Sequence, residues 1–120
     1  MAIAYLSQGA GASTETSGAA LSPLCPATVT AGDILIAHVF WEGTATAPST
    51  PANWTLLSGP HVIQSTIARH WVFGKIADGT EDGGAVAFGN PAVTTQRAAR
   101  VYSFSGRTAG TITELVNGFA

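Results

Sequence analysis

The chain has 120 residues, of which 46% are hydrophobic and only 10% charged, and its formal net charge is −2. This length fits one domain, residues 1–120, with a core of its own. The five cationic residues are scattered, which excludes the clustered basic surface that nucleic-acid binding needs. Average domains carry about 25% charged residues, so we expect a surface of small polar residues that packs readily against neighbours. A plain extracellular-type β domain would have a similar composition.

The cysteine content and the N-terminal residues indicate the cellular compartment in which the protein is made. Cys25 is the one cysteine, so no disulfide framework forms within the chain. The N-terminus lacks the basic segment and the apolar run of a signal peptide, and no stretch is long enough to span a membrane. We therefore expect a protein made in a cytoplasm, with no membrane partner.

The chain begins with a segment of weak structural signals. Residues 1–26 are expected to be an arm or an edge segment, because residues 8–18 are small and polar and residues 21–26 contain two prolines. The first strong element is the apolar, β-branched and aromatic run of residues 33–41, which begins after a Gly-Asp turn signal. Since nearly every position in it is apolar, the run predicts a central strand covered on both faces.

Shorter strands follow between Gly and Pro breaks. Residues 53–58 form one strand, which ends at Gly59-Pro60, and residues 68–76 form the strongest part of the next. The Asp- and Gly-rich residues 78–84 predict a turn, with residues 85–88 pairing back as a hairpin. Residues 96–105 alternate, with Arg100, Tyr102 and Phe104 on one side, and residues 111–116 suggest a last strand.

These elements predict an all-β protein: an antiparallel β-sandwich of about six to eight short strands. Large apolar side chains in the strands are expected to form its core, and the strand from Ile34 should be central. The predicted core residues are Ile34, Leu35, Ile36, Val39, Phe40, Leu56, Trp71, Phe73, Val101 and Phe104.

No catalytic motif is found, so we expect no enzyme and predict no catalytic, cofactor-binding or metal-binding residues. The histidines His38, His61 and His70 could meet as a metal site, but their spacing gives this no support. His38 is better explained as a core or interface histidine, and His70 should face away from Trp71. The carboxylates of residues 78–82 could ligate Ca²⁺, but a solvated turn explains them better.

The tryptophans Trp41, Trp54 and Trp71 would stack on sugars if they were exposed. All three lie in or beside apolar strands, so burial in the core is expected for at least two of them. Burial of all three would argue against sugar stacking.

Four ordered segments resemble a β-sandwich domain of tailed-phage structural proteins. They are a Thr-x-Gly-Asp turn with a long apolar strand (residues 29–39), a Trp-Thr-Leu strand (52–58), an aromatic-Lys strand with a Gly-Thr-Glu turn (70–81) and a Tyr-x-Phe-Ser-Gly strand (100–106). The resemblance implies a jelly-roll-like sandwich in head-decoration, minor tail or fibre components, and it implies no catalytic residues. In that family the chain usually continues beyond the last of these strands.

The resemblance leads to a functional expectation. The protein would be a non-enzymatic virion component, made in the host cytoplasm, that stabilises the particle as a capsid decoration or cement protein or as a small fibre or tail-attached protein. Its partners would be copies of itself, with a trimer expected by analogy, and the major capsid protein or tail proteins. The alternative is a carbohydrate-binding, lectin-like module that contacts host surface glycans.

Overall fold

The computed structural model describes residues 3–16, 19–42, 47–63, 68–89 and 95–106. These residues contain six β-strands and no helix, which confirms the all-β, sandwich-like prediction. The described part of the chain therefore has no helix that could cross a membrane. The strands are β1 (Ala4–Gln8), β2 (Ala12–Thr14), β3 (Ile34–Glu42), β4 (Thr55–Ile63), β5 (Ala68–Ile76) and β6 (Arg97–Ser105).

The six strands form one antiparallel sheet in the order β1-β6-β3-β5-β4, and β2 also pairs with β6. β3 lies in the middle, as predicted for the strand from Ile34. It pairs with β5 along its whole length, from Ile34 opposite Ile76 to Glu42 opposite Ala68. On its other side it pairs with β6.

A layer of irregular chain covers one face of the sheet. Residues 21–25 run alongside residues 84–89, held by backbone hydrogen bonds and by one β-bridge between Leu24 and Ala85. The predicted hairpin of residues 85–88 is therefore wrong, because these residues pair with the N-terminal part of the chain. The layer packs on the sheet through Phe88, whose ring centroid lies 5.1 Å from that of Phe73.

The core lies between this layer and the sheet. Side chains alternate between the two faces of a strand, so every second residue of β3 points towards the layer. Leu35, Ala37, Val39 and Trp41 are all buried there. Neighbouring strands and the layer complete the core with Trp71, Phe73, Val101, Leu21 and Phe88.

The predicted core is correct in part. Six of its ten residues are buried: Ile34, Leu35, Val39, Trp71, Phe73 and Val101. Ile36, Phe40 and Phe104 are only half-buried, because they point to the face opposite the layer. Leu56 is 42% exposed because it lies on the outermost strand. The expectation that both faces of the central strand are covered is therefore wrong for the part of the chain described.

Two further expectations concern the edges of the sheet. Of the two alternatives for residues 1–26, an arm or an edge segment, the structure shows an edge segment at β1 and β2. β4 continues through Gly59-Pro60, where the sequence predicted its end, with a cis peptide bond and two register shifts. A side chain at position 59 would collide with His70, since its Cβ would lie 2.8 Å from the His70 carbonyl oxygen. The predicted strand of residues 111–116 lies outside the described residues.

Candidate functional site

The face of the sheet opposite the covering layer, called the open face below, presents a mixture of aromatic, basic and apolar side chains. Side chains alternate along a strand, so when every second residue points into the core, the residues between them point to the opposite face. None of these side chains belongs to the core cluster. The open face includes Ile36, His38 and Phe40 of β3, His61 of β4, His70 of β5, and Arg100 and Tyr102 of β6.

Three histidines meet on the open face. β5 lies between β3 and β4, so His70 has His38 on one side and His61 directly opposite on the other. Nε2 of His38 lies 2.9 Å from Nδ1 of His70, within hydrogen-bond distance. The rings of His61 and His70 are tilted by 33°, with centroids 4.9 Å apart. Nε2 of His61 is in turn hydrogen-bonded to the hydroxyl of Ser58.

The structure therefore brings together the residues that sequence spacing left apart. His70 faces away from the buried Trp71, as predicted. Of the two interpretations of His38, the core histidine is wrong, because its side chain is exposed; the interface histidine stays a prediction. A β-strand alternates its faces, so an apolar strand can still present one residue to solvent when nothing covers that face.

The electrostatic environment of His38 favours its neutral form. Partial burial, and secondly the neighbouring His70, lower the pKa of His38 below its ordinary value of 6.5. Arg100 lies directly opposite His38 on β6. At neutral pH His38 is therefore an uncharged imidazole with one nitrogen that donates and one that accepts.

A groove of about 370 Å³ lies next to the histidines, above β6 and between β2 and β3. Its walls carry the hydroxyls of Ser13 and Tyr102, the imidazole of His38, the ring of Phe40 and the guanidinium of Arg100. Nη1 of Arg100 donates to the carbonyl of Gly9 at 3.0 Å, which holds the guanidinium in place.

The two outermost strands are apolar and uncharged. The chain's exposed large hydrophobic side chains, among the described residues, lie almost entirely at β1 and β4: Ile3, Tyr5, Leu6, Leu56, Val62 and Ile63. Neither strand contains Asp, Glu, Lys or Arg. Edge strands usually carry charges because exposed backbone groups are templates for pairing with other chains. The blocking features that the described residues show are Pro60 and the register shifts of β4, together with the register shift between Tyr5 and Ser7 of β1.

The acidic residues after β5 form a hydrogen-bonded turn, as predicted. Oδ1 of Asp82 accepts from the backbone N–H of Val29 at 2.7 Å. Glu81 accepts from the N–H groups of Asp78 and Gly79 and pairs with Lys75 at 2.9 Å. These carboxylates therefore already have partners, within the turn for Glu81 and outside it, at Val29, for Asp82. Across the described ranges, no three His, Cys, Asp or Glu side chains are arranged to hold a metal ion.

The tryptophans and the cysteine belong to the core. Trp41, Trp54 and Trp71 are all buried, which confirms the expected burial, so their rings are not available for stacking on sugars. The rings of Trp41 and Trp71 meet edge to face with centroids 5.7 Å apart. Burial raises the pKa of the Cys25 thiol, and the residue is 3% exposed, so it is a passive core thiol.

Comparison of the chain with protein-family models, with curated proteins and with solved structures yields no match. Functional inference therefore rests on the chain's own sequence and geometry.

Proposed function

We propose that this chain is a non-enzymatic structural component of a tailed-phage virion. It acts as a capsid decoration or cement protein, or as a small fibre or tail-attached protein. In this role it stabilises the particle mechanically, by burying its sheet edges against copies of itself and against the major capsid protein or tail proteins.

The apolar, uncharged character of both edge strands is the observation that carries this proposal. β1 and β4 lie at opposite ends of the sheet, so one chain offers two different edges. An edge of one copy can pair with the other edge of the next, and such head-to-tail contacts close into a ring when the rotation allows it. A trimer is the expected state. Burial of Tyr5 and Val62, which are 55% and 53% exposed, would contribute to the hydrophobic stabilisation of each contact.

Two further features support the same proposal. The charge content of 10% means that little electrostatic repulsion opposes close packing of copies. The four segments that resemble the phage domain lie in β3, β4, β5 and β6 and in the turns beside them, and these four strands are neighbours in the sheet.

Light-scattering-coupled chromatography tests the assembly, with Tyr5→Lys and Val62→Lys as edge variants. We expect the wild-type protein to form a defined oligomer, and each variant to shift it towards monomer without loss of fold. Leu24→Lys is the matched control, because Leu24 is an exposed apolar residue outside both edge strands. Sedimentation with purified capsids or tails then tests the virion role. A wild-type monomer that binds neither particle would contradict the proposal.

A carbohydrate-binding module is the second candidate, and the groove is the observation that favours it. The groove combines aromatic rings at Phe40 and Tyr102 with the hydrogen-bonding groups of Ser13, His38 and Arg100, a mixture suited to sugars. A glycan array screen followed by NMR titration tests it. Binding would shift resonances of groove residues and would be weakened by Tyr102→Ala, whereas an array without hits would exclude the glycans it displays.

A further inference from the structure

The histidine cluster has a chemistry that the proposed assembly does not use. All three histidines of the chain lie in it, on three adjacent strands and on one face of the sheet. Imidazole nitrogens are preferred ligands of late first-row metal ions such as Zn²⁺, Ni²⁺ and Cu²⁺. Three histidines are also the protein ligand set of one well-known kind of zinc site.

The spacing of the first two histidines fits a shared ion. An imidazole nitrogen binds zinc at about 2.0–2.1 Å. Two such nitrogens at a right angle around one ion would therefore lie about 2.9 Å apart, and at the tetrahedral angle about 3.3 Å apart. Nε2 of His38 and Nδ1 of His70 are separated by 2.9 Å, which matches the right-angle separation and is about 0.4 Å shorter than the tetrahedral one. Both rings must also rotate, because their nitrogens now point at each other in a hydrogen bond rather than at a common ion.

We propose that His38, His70 and His61 form a binding site for one divalent late first-row metal ion. His38 and His70 supply the two nitrogens that already face each other. His61 supplies the third after its exposed side chain turns away from the hydroxyl of Ser58, which holds its Nε2 in the present arrangement. Because the His61 side chain must first rotate, the three imidazole nitrogens do not point to one common position in the present arrangement. Water completes the coordination from the solvent side.

Metal binding requires one tautomer of each imidazole. The ion takes the place of the hydrogen bond between the two rings, so the lone pairs of His38 Nε2 and His70 Nδ1 must both be available. The ring protons then lie on His38 Nδ1 and His70 Nε2. Arg100 opposes the ion electrostatically, since it lies opposite His38 on β6, but its guanidinium is held by the Gly9 carbonyl.

Isothermal titration calorimetry on tag-free protein at pH 7.5, with Zn²⁺ and Ni²⁺ in separate titrations, tests the site. We expect saturable binding of one ion per chain. His38→Gln and His70→Gln should each weaken the apparent affinity at least about tenfold, and His61→Gln should weaken it too, since even outer-shell changes cost about 10–100-fold at metal sites. Asp78→Asn is the control for cation binding by the acidic turn, and it should bind as the wild type does.

Thermal denaturation in chelator separates lost ligation from lost structure. Glutamine keeps hydrogen-bonding groups at exposed or half-exposed positions, so the variants should melt close to the wild-type protein without metal. If His61→Gln bound the metal ion with wild-type affinity, the assignment of His61 as the third ligand would be wrong. Wild-type affinity in His70→Gln, or no saturable binding up to millimolar metal, would overturn the site. The result does not depend on the proposed assembly, because a monomer contains all three histidines.

Discussion

The two faces of this sheet are built from the same strands, but their side chains differ in how far they are buried. Along β3, Leu35, Val39 and Trp41 are buried, whereas Phe40 is half-buried and His38 is exposed. Hydrophobicity alone does not account for the difference, since Phe40 is as apolar as its buried neighbours. Residues 21–25 and 84–89 account for it, because they cover one face only. The open face is thus where apolar side chains, a guanidinium and the three imidazoles remain accessible.

Paired substitutions of phenylalanine on the two faces should give the largest difference. Phe73→Ala removes a ring that is 1% exposed and packed on Phe88, and we expect it to cost about 3–5 kcal/mol. Phe40→Ala removes a half-buried ring from the open face, and we expect a loss below about 2 kcal/mol. Chemical denaturation of both variants measures the difference directly. Equal losses would mean that the open face is covered in the folded protein in solution.

Two arginines, one on each face of the sheet, allow the same comparison with a smaller expected loss of stability. Arg97 points to the covered face, is fully buried, and donates to the carbonyls of Thr16, Ala19 and Thr95. Arg97→Ala would remove three partly buried hydrogen bonds from a charged donor and should cost about 1.5–3 kcal/mol. Arg100 on the open face makes one hydrogen bond to the described residues, to Gly9.

Arg100→Ala should therefore cost less, about 0.5–1.5 kcal/mol. Both variants are measured by chemical denaturation against the wild type. Hydrogen exchange of the β1 and β2 amides adds a second readout, since Arg97 joins the chain after β2 to β6 and its loss should speed exchange there. A larger effect at Arg100 would contradict the assignment of Arg97 as the anchor of the N-terminal strands.

The strands were predictable because their signals are local. The apolar run from Ile34, the alternation around Tyr102 and the turn at Asp78 depend on neighbouring residues, and all three were predicted correctly. The covering layer was not, because residues 21–25 reach residues 84–89 through pairing across the whole chain, and their prolines predict no regular element. Without the layer, the sequence could not show which face of the central strand is covered.

The candidate sites were missed for the same reason. His38, His61 and His70 become neighbours only because β5 lies between β3 and β4, and that strand order has no local signal. The apolar edge strands were not predicted for a different reason. Residues 1–26 were expected to be an arm or an edge segment, with no strand bounds for β1, and β4 was expected to end at Gly59-Pro60, so neither strand was predicted at its full length.

The turn after β5 gives the smallest expected effect, and it contrasts with the open face because its ionisable groups are carboxylates, whereas those of the open face include imidazoles and a guanidinium. A side-chain hydrogen bond from Thr80 is the main cause that lowers the pKa of Asp78 from its ordinary 3.8. Burial raises the pKa of Glu81, but hydrogen bonds from the Asp78 backbone and from Lys75 outweigh it and lower the pKa from 4.5.

Both carboxyl groups are thus more acidic in the folded chain than in the unfolded chain, which binds more protons at low pH. Their contribution to stability is complete above about pH 4.5, and it is lost as the pH falls through the lowered pKa values. We expect the wild-type melting temperature to fall more between pH 5 and pH 3 than that of Glu81→Gln, which cannot ionise there. Parallel curves would show that the turn does not hold its carboxylates in the ionised form.

The melting temperatures in chelator and in millimolar Ca²⁺ at pH 7 should coincide, because Asp82 and Glu81 already accept hydrogen bonds from the backbone. A rise of several degrees with Ca²⁺ would mean that the ion displaces those bonds.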